Sequence, residues 1–483
     1  MFMRMVYDDK LAQAAYLIGC EASGEAVVID PERDVDRYID IASENELSIV
    51  AVAETHIHAD FLSGARELAE RVGARVYVSD EGDADWKYGW LDKKQGGGAY
   101  DHELLKDGDT FSVGGVELRA VHTPGHTPEH LSFVVTDTGA GADEPIGMVT
   151  GDFVFVGDLG RPDLLETAAG QAGAMEPSAR RLYKSVRSLD GLADYVQLWP
   201  GHGAGSACGK ALGAVPASTV GYEKRHNPAI RAASDERSDE RGFVEFILSG
   251  QPEPPLYFAQ MKRLNKQGPP VLGGLPIPPR LPAESVAELD PATVAIVDAR
   301  PWDEYRSGHL PGSLSIPAGR HFPTDAGSLV GPDERIYLIV GEAELEEAVR
   351  DLVRIGLDNI VAWCAPEEIE GLARTGAAME TTEEIGLERA RQLVGEGAVG
   401  VVDVRRANEY VNGHIPEAVN ISHTRLASRM DEVPRDQTLM VSCRTGRRSA
   451  VAASYLQRAG FDVMNFDGGF EAWKRTEAPV TTG

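Results

Sequence analysis

Apolar and polar positions change rhythm along the chain, and each change marks an element. Short apolar runs that end in turn residues predict strands in the first half: SIVAVAET, VELRAVHTPG, IGMVT and YVQLWPG. Between the first two, GARELAERVG has helical spacing, with Ser63 placed to cap it. Near the C-terminus VGVVDV and TLMVSC read as strands, RRSAVAASYLQRAG as a helix and DVMNF as another strand. That alternation predicts a parallel sheet with helices on its faces. One passage, QPEPPLYFAQMKRLNKQGPPVLGGLPIPPRLP, is dense in proline and reads as a semi-rigid connection.

Beyond that passage the chain repeats itself. IVDARPWDEYRSGHLPGSLSIP opens one unit and VVDVRRANEYVNGHIPEAVNIS the next, so Asp298, Arg300, Tyr305 and His309 match Asp403, Arg405, Tyr410 and His414 at a constant spacing of 105 residues. The predicted organisation is a multidomain α/β protein: a first domain over 1–250, a connection over 251–282, and repeated domains over 283–376 and 377–483.

Composition narrows the function classes. The formal charge of −29 argues against nucleic acid or an anionic membrane as partner, because both repel an acidic surface. The start MFMRMVYDDK turns acidic after a short apolar patch, unlike a secretion signal, and no long apolar run is present. Cys20, Cys208, Cys364 and Cys443 are scattered without pairing logic, which fits free thiols in a reducing cytoplasm.

Chemistry gathers at the ends of the predicted strands. SIVAVAET runs into His56, His58 and Asp60, VELRAVHTPG into His126, IGMVT into Asp152, and YVQLWPG into His202. Loops that follow strands converge at one sheet edge, where sites form. His122 and His130 flank His126, but the intervening prolines and glycine forbid a helix, and both read as structural. Farther on, Cys443 sits at a strand end before a tight loop that opens a helix, with Arg444, Arg447 and Arg448 beside it. A helix N-terminus and loop N–H groups stabilise a thiolate and bind anions. In the first copy the matching stretch, RIYLIVGEAELEEAVRDL, has no cysteine and places Glu342, Glu344, Glu346 and Glu347 where the other loop has arginines. That copy is expected to be silent, and His309 and His414, present in both copies, to serve the fold. Cys364 has no basic neighbours and receives no role.

The ordered motifs THIHAD, TPGHTP, TGD and PGHG resemble the metallo-β-lactamase superfamily, which implies an αββα fold for the first domain. Two-metal hydrolases of that superfamily, the glyoxalase II kind, place a histidine where this chain has Phe61. A phenyl ring cannot ligate. The persulfide dioxygenases of the superfamily instead bind one iron through two histidines and an aspartate, and the resemblance gives those roles to His56, His126 and Asp152. Two histidines and a carboxylate leave positions open for substrate and O₂ on Fe(II), one per chain. His58, Asp60 and His202 would orient ligands or bound water. Arg161 and Asp163, in GDLGRPDLL, also match the dioxygenase pattern; Arg161 is expected to bind a substrate carboxylate or to form a buried ion pair. Cys208 reads as a small packed residue.

CRTGRRS, with the upstream DVR and GHIPEA, resembles the rhodanese sulfurtransferases. The resemblance implies that Cys443 carries sulfane sulfur, with Arg444 and Arg448 in the catalytic loop, and with Thr445, Gly446 and Arg447 binding sulfite or thiosulfate. The whole order resembles persulfide dioxygenase–sulfurtransferase fusions. It implies oxidation of a small-molecule persulfide by O₂ coupled to sulfur transfer. A zinc thioester hydrolase fused to rhodanese domains and a sulfur carrier or sensor are the alternatives. A homo-oligomer is expected, with the silent copy's surface as a place for self-association.

Overall fold

The structure is a computed structural model and describes residues 1–167, 170, 172–234 and 239–483. The chain divides into two compact units, Met1–Leu275 with Arg354–Gly356, and Pro276–Val353 with Leu357–Gly483.

In the first unit two six-stranded sheets face each other. One runs in the order Phe2–Asp8, Gln13–Cys20, Glu25–Ile29, Ser48–Ala53, Arg75–Ser79 and His102–Leu105. The other runs Ser218–Thr219, Gln197–Pro200, Gly147–Gly151, Leu131–Asp137, Val116–His122 and Thr110–Val113. The first sheet begins with antiparallel pairs and becomes parallel from Glu25–Ile29 onward. The inner layer is filled by Tyr16, Val27, Ile29, Phe111, Phe133 and Trp199. Both outer faces are also buried, one under Tyr38 and Leu68, the other under Leu182 and Phe243. Helices therefore cover both sheets, giving the expected αββα layers. Burial on both faces explains why these strands read as apolar runs and not as strict alternation.

Two local expectations change. The helix after the first loop starts at Ala65 with Gly64 as its cap. The Ser63 hydroxyl accepts the Ala65 N–H at 2.9 Å and donates to Glu54 at 2.5 Å, so it fixes the loop's exit instead of capping the helix. The 251–282 connection is more ordered than its prolines suggested. It holds a helix at Phe258–Gln267 whose Phe258, Met261 and Asn265 are buried, a helical spacing hidden between two proline clusters. The first unit accordingly runs on to Leu275.

The second unit contains the repeat. A four-stranded sheet runs Leu314–Ser315, Val294–Asp298, Arg335–Ile339 and Ile360–Cys364. A five-stranded sheet runs Glu383–Ile385, Val463–Phe466, Leu439–Ser442, Gly400–Asp403 and Val419–Asn420. All pairings within both sheets are parallel. The residues shared by the two copies do the same work in each. Arg300 and Arg405 pair with Asp298 and Asp403 and donate to the carbonyls of Gly308 and Gly413. His309 and His414 stack on Tyr305 and Tyr410, with ring centres 3.9 and 3.6 Å apart. Those histidines serve the fold.

Candidate metal centre and sulfur-transfer loop

Every strand end that carried a candidate ligand delivers it to one place. One nitrogen or oxygen each from His56, His126 and Asp152 lie within 4.8 Å of one another, and all three side chains are buried. A bulge separates Val149 from Gly151 in the strand that leads to Asp152. Gly151 adopts φ +48°, and a Cβ there would come within 2.5 Å of the Thr55 hydroxyl and 2.9 Å of His130. Only glycine allows so close an approach.

The histidine tautomers follow from their second nitrogens. Thr55 Oγ1 donates to Asp30 at 2.8 Å, so the contact at 2.9 Å to His56 Nδ1 is one in which the ring donates. His126 Nδ1 donates to the Arg161 carbonyl at 3.0 Å. Burial lowers both pKa values, that of His56 well below the ordinary histidine range, so both rings are neutral with Nε2 lone pairs free. His126 Nε2 then faces Asp152 Oδ2 at 3.5 Å, lone pair to carboxylate. Neither Asp152 oxygen has a hydrogen-bond partner among the described residues. An uncompensated buried carboxylate is costly, and a cation between these atoms removes the cost. The residues fit a divalent metal.

His58 differs. Burial alone would lower its pKa, but Asp30 and Glu54, each 3.2 Å from Nε2, outweigh that and raise it well above the ordinary value. A cationic ring does not ligate. His58 instead buttresses the loop, packed on Phe61 with ring centres 4.4 Å apart. His202 Nδ1 meets the Ala12 carbonyl at 3.1 Å, while Nε2 faces Asp60 at 3.2 Å and Asp152 at 3.4 Å. Cys208 joins Asp60 and His202 in a second buried donor group, also within 4.8 Å. The sequence reading of Cys208 as mere packing missed this, because nothing in PGHGAGSACG shows the loop folding back. Burial, with the neighbouring Asp60 and Asp152 carboxylates adding to it, raises the Cys208 thiol pKa well above the ordinary value.

Arg161 is the ion-pair alternative. It is 1% exposed, grips Asp163 through Nε (2.8 Å) and a terminal nitrogen (2.5 Å), and donates its remaining nitrogen to the Ala207 carbonyl at 2.9 Å. With all three nitrogens engaged it braces the loop, and its expected role as a carboxylate-binding group is corrected.

Sequence reasoning missed three supports. Asp30, at φ +53°, accepts both the N–H and the hydroxyl of Thr55 and so orients His56. His130 accepts the Asp152 N–H at 3.0 Å through Nε2, so its structural role is exerted on a ligand. Asn265 donates to the carbonyls of His58 and Phe61 and accepts the Ser63 N–H, pinning the whole loop.

In the second unit Cys443 is buried, and its sulfur accepts the Gly446 N–H at 3.1 Å and the Ser449 hydroxyl at 3.4 Å. Gly446 has φ +106° at the turn into the helix Arg447–Arg458. Ser449 lay inside the quoted motif without an assigned part. The arginines are each paired. Arg448 meets Glu409 through two nitrogens at 2.7 and 2.8 Å. Arg447 meets Asp325 at 2.6 Å. Arg444 is exposed and reaches Glu471 at 3.2 Å instead of the sulfur, and Thr445 is exposed beside it. Asp325 is buried and comes from the first copy, and it also faces His423 of the second copy at 3.3 Å. In that copy only residues 340–341 separate strand from helix, against 443–446 in the second. So short a loop cannot encircle an anion.

Both units resemble known proteins. Residues 8–202 match the metallo-beta-lactamase superfamily, and residues 281–362 and 387–476 each match the rhodanese-like domain. A crystal structure of a metallo-beta-lactamase from Staphylococcus aureus subsp. aureus COL is 40% identical, covering 76% of this chain and 99% of that one, with a TM-score of 0.66. A probable metallo-hydrolase of Burkholderia pseudomallei is 32% identical over 248 residues, 47% of this chain and 79% of the relative. A beta-lactamase hydrolase-like protein of Agrobacterium fabrum is 29% identical over 256 residues; the match spans 48% of this chain and about half, 53%, of the relative. No helix among the described residues is long and apolar enough to cross a membrane. The chain belongs to the metallo-beta-lactamase superfamily, its metallo-beta-lactamase domain followed by two rhodanese-like domains.

Proposed function

We propose that the first unit oxidises small-molecule thiol persulfides with O₂, and that Cys443 transfers sulfane sulfur to or from the product. The observation that carries this reading is the buried His56–His126–Asp152 set beside Phe61, where a two-metal hydrolase of this superfamily would need a histidine. An iron(II) ion held by those three residues would supply the electron transfer that couples O₂ to the terminal sulfur. The net reaction is R–S–SH + O₂ + H₂O → R–SH + SO₃²⁻ + 2 H⁺.

The chain's own residues set the conditions. The Arg161 carbonyl and Thr55 hydroxyl fix the ring orientations of His126 and His56. His130 fixes the backbone of Asp152. Asp60 and His202, in contact at 3.2 Å, are placed to take up a proton released beside Asp152. In the second unit, a Cys443 persulfide attacked by sulfite gives thiosulfate: Cys–S–S⁻ + SO₃²⁻ → Cys–S⁻ + S₂O₃²⁻. The Gly446 N–H and the Ser449 hydroxyl, already directed at the sulfur, stabilise the thiolate that leaves. Carrying both sites on one chain raises the concentration of one site's product at the other.

The Asp60–His202–Cys208 group supports a second reading, a two-metal hydrolase in which Cys208 replaces the missing histidine. Metal analysis together with product analysis separates the two. The dioxygenase reading expects one iron per chain, and sulfite as product in Cys443→Ser where the parent yields thiosulfate. Two zinc ions per chain with no sulfur oxidation would favour the hydrolase.

A further inference from the structure

Arg354 ends the helix Glu342–Arg354 of the silent copy in sequence, yet its contacts place it, with Ile355 and Gly356, in the first unit. Its buried guanidinium meets three buried carboxylates: Asp34 through Nε at 3.0 Å and Nη2 at 2.7 Å, Asp8 through Nη1 at 2.5 Å, and Glu32 at 3.3 Å. Its carbonyl accepts the Leu62 N–H at 2.7 Å, one residue past Phe61. Gly356 lies against the same loop, where a Cβ would come within 3.2 Å of Leu62 and of Met261. Each contact leads to the metal centre by a short path. Leu62 follows directly on the loop that carries His56, His58 and Asp60. Glu32 and Asp34 belong to the segment that starts at Asp30, whose carboxylate orients His56 through Thr55. The Pro31 carbonyl of that segment accepts the Gly64 N–H at 2.7 Å. Asp8 accepts the N–H groups of Lys10 (2.6 Å) and Leu11 (2.9 Å), shaping the turn that ends at Ala12, with φ +53°. The Ala12 carbonyl meets His202 Nδ1 at 3.1 Å.

We propose that Arg354 is a positioning residue for the metal centre: by holding Asp8, Asp34 and Leu62 in one arrangement it sets the places of His56 and His202, and with them the affinity and geometry of the bound metal. The inference needs only that the centre binds a divalent metal, whichever reaction that metal serves. A guanidinium buried among carboxylates gives up much of its Coulombic gain to desolvation, so its worth lies less in stability than in the geometry it fixes. Arg37 shares Glu32 and Asp34 with it, at 2.5 and 3.0 Å. Arg354 is the group that bridges Asp8 to Asp34, using two edges of a planar fork that a lysine ammonium does not possess. The silent copy thereby has a task that requires no cysteine.

The test takes the full chain as parent, Arg354→Lys and Arg354→Met. It measures Co(II) affinity by chelator competition, the d–d absorption of the bound Co(II), and thiosulfate:cyanide sulfur transfer at Cys443. Arg354→Lys keeps the charge and the backbone carbonyl but loses the bridge between Asp8 and Asp34. It should bind Co(II) about tenfold more weakly, as when other groups that orient ligands are lost, with an altered absorption spectrum and unchanged sulfur transfer. Arg354→Met also leaves the carboxylates without this partner and should bind more weakly still; where it fails to accumulate, Arg354→Lys decides. Parent-like Co(II) affinity and spectrum in Arg354→Lys would overturn the proposal, and a lowered melting temperature beside them would make Arg354 a brace of the fold alone. Sulfur transfer lost in step with metal affinity would also overturn it, because the substitution would then have disturbed the whole chain.

Discussion

Replacing Thr55 by valine removes one oxygen from the deepest part of the metal centre and keeps the shape of the side chain. That oxygen accepts His56 Nδ1–H at 2.9 Å and donates to Asp30 at 2.8 Å. Its loss frees the His56 ring to rotate and leaves two buried polar atoms unpaired. Groups that orient a ligating histidine are worth about 10- to 100-fold in metal affinity, or about 1.4 to 2.8 kcal/mol. The two unpaired atoms cost about 1 to 3 kcal/mol each in stability of the metal-free protein. The Thr55 N–H to Asp30 bond, at 2.7 Å, is untouched, so the loop keeps its path. Affinity is measured by anaerobic competition for Fe(II) against a chromophoric chelator, and stability by thermal melts of the metal-free chain. Thr55→Val should bind metal about 10- to 100-fold more weakly and melt several degrees lower, while Thr55→Ser should recover both. Metal affinity within twofold of the parent in Thr55→Val would refute the argument that Asp30 acts on His56 through this hydroxyl.

Other outcomes follow from the same structure. Asp325→Asn should slow sulfur transfer about three- to tenfold while leaving metal content unchanged, because Arg447 loses a charged partner at a half-exposed position; steady-state thiosulfate:cyanide assays check this. Burial would raise the Asp325 pKa, but His423 and Arg447 outweigh it and lower it, so its share of stability is complete above about pH 4 and drains away as pH falls through the lower folded value. Asp325→Asn should therefore flatten the acid limb of the unfolding profile of the parent. Asp403→Asn unpairs the buried Arg405 and should cost about 3 to 5 kcal/mol, read as lost soluble yield or a lowered melt, whereas Ser449→Ala should fold normally and lose sulfurtransferase rate. His126→Ala should lose bound metal without unfolding the first unit.

Much of this was legible in the sequence because the chemistry is written at strand ends. The motifs around His56, His126, Asp152 and His202 each follow an apolar run, so their convergence could be read from order alone. The repeat was equally visible, since Asp298 and Asp403 carry the same neighbours at the same spacing. Hidden parts share one cause: contacts between residues far apart in the chain. Asn265 holds the His58 and Phe61 carbonyls from a segment whose prolines masked its helix. Asp30 works through a hydroxyl, His130 through a backbone N–H, and Asp325 across two copies of a repeat. The surroundings of Arg161 and Cys208 could be settled only by the fold, since arginine serves equally as clamp or brace, and a thiol as filler or donor.

The most direct measurement is O₂ uptake by the chain reconstituted anaerobically with Fe(II) and then given glutathione persulfide. The account predicts uptake with sulfite or thiosulfate formed in proportion, lost in His126→Ala and retained in Cys443→Ser. No uptake from iron-loaded protein, with glutathione or coenzyme A persulfide, would contradict it and leave the two-metal hydrolase reading to explain the Asp60, His202 and Cys208 group.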